Sequence, residues 1–453
     1  MLLKSVVRAG AVAVAFALLP GMAQAETLRE ALERAYVNNP NIMSALLSVK
    51  SAAEDIALRK AGKLPQISAT ARVGGAYTVT SGTFTPSYNY TLGLNYQQNL
   101  FDNFRTEAQI EQARAMSELS KYALRNAEQN VLLSVASAYM NVVRDTQLVA
   151  LRQENVEFFQ AQVDSSDSRL RLGEGTQIEV SQSRARLAAA SAGYRAAIAS
   201  LQTSQASYQR WVGHKPQNLQ ASYNFNGALP KSIDDATDSA EARHPAILTA
   251  RAAIRAAMAG SDAAKAAFGP TLNLIGSLCG IGCFGSNPDQ GGMTGSVSLQ
   301  LSVPIYSGGS MGASVRKANI EQIKSEVDAL ATRDQVMESV ISAWSSLQNA
   351  TAQIESAQSA VDSGQLVVKG TIQERDVGQR TTLDVLNAQA ELTSAREGLI
   401  TASSARVVAS FALLAAAGKL SATDLNLNVE VHSADGYTAT VEDVWQELRS
   451  IDE

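Results

Sequence analysis

The chain has 453 residues and a formal net charge of −5, with 45% hydrophobic and 18% charged residues. That balance argues against a nucleic-acid partner, and the length allows two or three domains. His214, His244 and His432 are scattered and fit no zinc or catalytic spacing, and neither a phosphate-binding glycine loop nor a nucleophile motif is present. No cofactor or enzymatic activity is expected.

Residues 1–25 read as a secretory signal peptide: Lys4 and Arg8, an apolar run from Ala11 to Leu19, then Ala23-Gln24-Ala25 as a small-residue cleavage site before Glu26. No later stretch reads as long and apolar enough for a transmembrane helix. Any membrane crossing is therefore expected from strands.

The remainder repeats itself at a spacing of 205 without a gap. Pro40 and Pro65 recur as Pro245 and Pro270, Phe101 as Tyr306, Ile178 as Leu383, Ala185 as Ala390, Leu187 as Leu392 and Gly213 as Gly418. A period this long marks a duplicated structural half, because solenoid modules repeat every ~20–50 residues. The first repeat is expected over 26–215 and the second over 236–418. A linker at 216–235 and a segment at 419–453 fall outside the long helices.

Each half opens with a short helical pattern, from about Thr27 to Ala61 with Asn38-Asn39-Pro40 as an interruption, and from about Ala236 to Ala267 around His244-Pro245. Period-two alternation follows. Tyr88 to Gln97 is apolar at every even position and pairs with Ile67 to about Ala76, and the second half has Thr271–Leu278 and Ser296–Val303. The hairpins are expected at about 66–101 and 271–305, with strands close to bilayer-crossing length and uncharged apolar lanes.

Proline-free stretches then predict helices from Phe104 to Leu172 and from Gly309 to Val377, each on the order of 100 Å at 1.5 Å per residue. Val135, Val142, Val149, Val156, Val163 and Leu170 form a heptad lane, matched by Val340, Leu347, Ile354, Val361 and Val368. The partner lane contains Asp145 and Arg152, so helices with neighbours on both flanks are expected. Return helices are expected near 176–211 and 381–417.

The turns between long and return helices are related in sequence. Gly173 and Gly378 stand where a helix can end in the left-handed conformation, with Gly175 beside the first. Thr176 and Thr381 can cap the return helices, and Glu179 and Asp384 complete capping boxes. Each turn is the tip of a long αα-hairpin. Four strands cannot close a barrel, and open edges in lipid leave backbone groups unpaired, so the chain must oligomerise. Three copies give twelve strands and an aqueous lumen. Cys279 and Cys283, in Leu278-Cys279-Gly280-Ile281-Gly282-Cys283 between the paired strands, are expected to form a small loop disulfide in an exported protein.

The duplicated half, Leu100-Phe101-Asp102 and Pro304-Ile305-Tyr306-Ser307-Gly308-Gly309 at the strand-to-helix junctions, and the two Gly-x-x-Thr tips together resemble the TolC family of Gram-negative outer-membrane efflux and secretion proteins. The resemblance covers nearly all of residues 27–418. It implies a mainly α homotrimer with a twelve-stranded outer-membrane β-barrel continued by a twelve-helix periplasmic α-barrel. Segments 216–235 and 419–453 would form an equatorial belt. It implies a passive duct, with a periplasmic membrane fusion protein and an inner-membrane ABC or RND transporter as partners, docked and gated at the helical tips. Arg380 matches the arginine that ties neighbouring tip helices, Glu179 the acid that accepts from it, and Asp384 a lumen-facing acid. The second acid of that ring is Asn387 here, and the tyrosine of the gate network is Arg375. Glu179 and Asp384 also have a plain role as helix caps. A periplasmic coiled-coil adaptor or scaffold without its own pore would share the long hairpins, but should end in small soluble β-domains.

Overall fold

The computed structural model describes residues 25–221, 227, 229–284 and 292–442, so residues 1–24 of the expected signal peptide lie outside the described residues. The chain runs α1 (Leu28–Asn38), α2 (Pro40–Lys60), β1 (Gln66–Thr80), β2 (Thr83–Phe101), α3 (Arg105–Arg171) and α4 (Gln177–Val212). It continues α5 (Ile233–Arg243), α6 (Pro245–Ala266), β3 (Thr271–Phe284), β4 (Gly292–Ser302), α7 (Ser310–Asp376), α8 (Thr382–Ala416) and α9 (Asp435–Glu442). The starts of α1 and α5, α2 and α6, β1 and β3, α3 and α7, and α4 and α8 all lie 205 positions apart, as in 233 − 28 and 310 − 105.

Local chemistry sets the boundaries. Thr27 and Glu30 form a capping box at the start of α1. Asn39 ends α1 in an extended conformation, as a residue before proline prefers, and caps α2 with Pro40 as its first residue. His244 repeats this between α5 and α6, its Nδ1 accepting from the Ala246 N–H. Burial lowers the His244 pKa, which keeps that nitrogen unprotonated and able to accept.

The 67-residue α3 and α7 each reach about 100 Å. Helix α3 packs against α2, α4, α6 and α8, so it has neighbours on both flanks. Within the heptad lanes Val135, Val142, Val163, Val340, Val361 and Val368 are buried. The polar positions of the partner lane find partners: Asp145 meets Arg144 at 2.8 Å, and Arg152 donates to Glu397 at 2.8 Å. The main core gathers midway along the helices, where Tyr36, Leu132, Tyr139, Phe411 and Leu414 pack with Leu420 and Leu425.

Helix α8 corrects the expectation that nothing beyond the leader is long and apolar enough to span a membrane. Its best 18-residue window has a mean hydropathy of 1.7, and half of that window is buried. The apolarity serves packing, since α8 runs back along α7 and also lies against α3.

The sheet is antiparallel in the order β1-β2-β3-β4, and its register sorts residues into rows. One face carries Ile67-Tyr96-Gly276-Val297, Ala69-Leu94-Leu278-Gly295 and Ala71-Leu92-Gly280-Met293. The other carries Ser68-Asn95-Ser277-Ser296 and Thr70-Gly93-Cys279-Thr294. The apolar face is open to its surroundings, with Val73 and Val297 each 80% exposed.

The cysteines correct a second expectation. Both lie within β3 rather than in a loop, and Cys279 is not disulfide-bonded. Four residues of strand span about 13 Å, beyond the ~4.4–6.8 Å between the Cα atoms of a bridge. The Cys283 side chain lies outside the described residues.

The helical tips as candidate gate and docking site

Helix α3 ends at Arg171 in a tight turn. Gly173 has φ +76°, and the Glu174 and Gly175 N–H groups both donate to the Arg169 carbonyl, at 2.9 and 3.2 Å. This Schellman-like closure satisfies carbonyls that the helix end leaves free. Gly175 has no left-handed φ, but a Cβ there would lie 3.2 Å from Leu170 N and 3.3 Å from Arg169 Cβ, so its role is close approach. Thr176 then accepts from the Glu179 N–H at 3.3 Å, and Glu179 Oε2 accepts from the Thr176 N–H at 3.2 Å.

The second tip follows the same plan. Gly378 has φ +81°, and the Gln379 N–H donates to the Glu374 carbonyl at 2.8 Å. Asp384 Oδ2 accepts from the Thr381 N–H at 2.9 Å and from its hydroxyl at 2.8 Å, while the Asp384 N–H donates to Thr381 Oγ1. The Thr381 backbone bond, then its hydroxyl, hold the Asp384 carboxyl below its usual range, and Arg380 adds to this. The tips differ notably where Arg380 stands in place of Gly175, and its Nε donates to Glu374 Oε2 at 2.9 Å.

Within one chain, therefore, Arg380 pairs with Glu374 and Glu179 with its own cap, and the two do not meet. The hairpins are joined elsewhere. Arg375, whose side chain is 14% exposed, donates from α7 to Gln162 of α3 at 2.8 Å and pairs with Asp376. Arg186 of α4 donates to Asn387 of α8 at 2.8 Å. Higher up, Thr393 donates to Asn155 at 3.0 Å in a buried contact. Gln162, Arg186 and Glu374 were not singled out from sequence. Arg186 and Asn387 lie 201 positions apart, close to the repeat length, and that spacing was the only available signal.

Apolar side chains surround both turns. Leu172, Ile178 and Val377 are exposed by about 70% or more, and Leu383, the repeat partner of Ile178, by 39%. The tips thus combine a fixed backbone turn, an apolar rim and exposed ionisable groups.

The outer membrane efflux protein family model matches residues 31–214 and again 236–419, which together are most of the sequence. The chain belongs to this family. It is 36% identical to the outer membrane efflux protein BepC of Brucella suis over 98% of this chain and 97% of that relative. It is 25% identical to the outer membrane protein TolC of Escherichia coli over 89% of this chain and 84% of that one. Among solved structures it resembles the outer membrane channel CmeC of Campylobacter jejuni, with a TM-score of 0.77 and 17% identity over 92% of this chain and 89% of that one. The TolC-like fold expected from the sequence is the fold the chain adopts.

Proposed function

We propose that three copies of the chain form a passive outer-membrane exit duct for type I protein secretion or multidrug efflux. The duct opens at its helical tips when a membrane fusion protein and an inner-membrane ABC or RND transporter dock. The observation that carries this is the sheet: one apolar and one polar face, with β1 and β4 as edges, continuous with helices about 100 Å long. Three such sheets joined β4 to β1 remove all edges and turn the polar rows to a lumen.

In the closed duct Arg380 exchanges Glu374 for Glu179 of a neighbouring copy. Asp384, with its lowered pKa, contributes to a ring of three acids that favours cations. The substitution of Asn387 for a second acid leaves that ring weakly charged. The exposed Leu172, Ile178, Val377 and Leu383 form the adaptor-docking rim. Gly173, Gly175 and Gly378 hold its shape, and Thr176 and Thr381 fix the entry of the return helices.

Purified protein in mild detergent should migrate as a heat-sensitive trimer and give small cation-selective steps in planar bilayers. A folded trimer that never conducts would contradict the duct.

A further inference from the structure

The two halves of the chain meet head to tail. Helix α3 of the first half packs along α6 of the second: Arg255 pairs with Glu118 at 2.6 Å, and a Cβ at Gly260 would lie 3.0 Å from Gln112 Nε2. As α3 advances from Gln112 to Glu118 its partner on α6 retreats from Gly260 to Arg255, so the helices are antiparallel. The strands beside them are joined in the same sense, with Leu94 of β2 opposite Leu278 of β3 and Asn95 opposite Ser277.

This joint uses one flank of each half, and the matching flanks lie open at the two ends of the chain. On the side of α6 that carries Arg255 and Gly260, Ala252 and Ala263 are 0% and 8% exposed. Their counterparts on α2, 205 positions earlier, are Leu47 and Leu58, which are 49% and 68% exposed. Ala115 of α3 is buried, whereas its counterpart Ile320 on α7 is 63% exposed. Ile320 belongs to an exposed lane with Ile323, Val327 and Leu330, spaced by three or four on one face of α7. Small residues thus line the covered flanks, and large apolar ones stand at the same places on the open flanks. A head-to-tail step of this kind can be repeated by further copies until the ring closes.

We infer that the joint between copies repeats the joint between halves at the same register, so that α7 of one copy packs along α2 of the next and Lys317 pairs with Asp55 of that neighbour. The inference rests on the trimeric duct proposed above and adds which residues face each other. Moving the Gln112 and Gly260 contact by one half gives Lys317 and Asp55 (112 + 205 and 260 − 205). Both are exposed, and among the described residues neither has a polar partner in its own chain. Opposite charges therefore face each other between copies where the joint within the chain has a neutral pair. In the same register Leu47 of the neighbour meets Ile323 and Val327, which removes apolar surface from water on both sides. In the sheet, Leu94 and Leu278 become Leu299 opposite Val73, and Asn95 and Ser277 become Gln300 opposite Arg72. The apolar and polar rows each continue across the joint, and a slip of one residue would turn every row to the wrong face.

The test uses the full chain with Cys279 and Cys283 replaced by serine. Asp55→Cys with Lys317→Cys should join chains into covalent dimers and trimers through a short bis-maleimide. Asp55→Cys with Ala331→Cys, two heptads or about 21 Å further along α7, should leave monomers on a denaturing gel. A protein that still migrates as a trimer but does not link through the first pair, or links only within one chain, overturns this register and leaves the duct standing. Absence of any trimer removes the duct and the register together. Independently, Lys317→Glu should lower the temperature at which the trimer dissociates in mild detergent, and adding Asp55→Lys should restore it. Dissociation of Lys317→Glu at the wild-type temperature, or no recovery in the exchanged pair, overturns the ion pair.

Discussion

Around Phe411 the helices share one large buried core: α1, α3, α4 and α8 meet there with Leu420, Leu425 and Leu427, and the largest side chains are buried. Around Gln162 and Asn387, near the far ends of the same helices, the hairpins meet through a small buried cluster of Phe159, Ala190 and Leu386 and through hydrogen bonds from Arg375 and Arg186. The helical lane is continuous between the two regions, so helix propensity does not distinguish them. What differs is the cover. Burial stabilises the middle by many contacts acting together, whereas the cluster near the tips is small and an exposed link such as Arg186–Asn387 is worth under about 1 kcal/mol and can be exchanged for others. A large buried girdle above and fewer, partly exposed links below is the distribution that the proposed duct, opening at its tips, needs.

The largest expected effect breaks the girdle. Phe411→Ala should destabilise the protein by about 3–5 kcal/mol in denaturant unfolding, whereas Leu383→Ala at the tip should cost far less. Comparable losses would mean that the tip is as well packed as the middle.

A smaller, local effect is expected at the turn. Gly173→Val forces a β-branched residue to φ +76°, at a cost of about 1–2 kcal/mol. It should speed proteolytic nicking between α3 and α4 while leaving the midpoint for unfolding of the whole protein nearly unchanged. A matching shift of that midpoint would show that the tip and the girdle unfold as one unit.

Glu128 sharpens the comparison within the girdle. Burial raises its pKa above 4.5, opposed first by the bond it accepts from the Tyr36 hydroxyl at 2.7 Å. A carboxyl raised in the folded state binds more protons there than in the unfolded chain. Stability is therefore lost as pH rises from about the ordinary carboxyl value through the raised one. Glu128→Gln should raise stability at neutral pH and gain nothing in acid. An unchanged pH profile of unfolding would mean that the charge is not desolvated.

The repeat, the helix boundaries at Asn39-Pro40 and His244-Pro245 and the heptad lanes were legible because each is a short-range pattern. The sheet was legible only in part. Residues 83–87 of β2 lack clear alternation and include Pro86; among the described residues β3 pairs with β2 as far as Tyr88. The two cysteines were expected in a loop between the paired strands. In the sheet Gly276 faces Tyr96, whose Cβ would lie 3.3 Å from an added Cβ, and Gly280 and Gly282 face Leu92 and Tyr90. Gly276 makes room for its large neighbour, and the strand runs unbroken through Gly280 and Gly282. At the tips, the turn residues and caps were readable because their partners are three to six positions away. The inter-hairpin links were not, since Arg375 finds Gln162 across 213 positions.

The most direct test of the account is single-channel conductance of the trimer in planar bilayers, comparing wild type with Arg186→Ala/Arg375→Ala. Loss of two exchangeable latches should leave trimer stability within about 1–2 kcal/mol of wild type and raise the step conductance markedly. Unchanged conductance in a folded, conducting trimer would contradict the claim that links between the hairpins hold the tip closed.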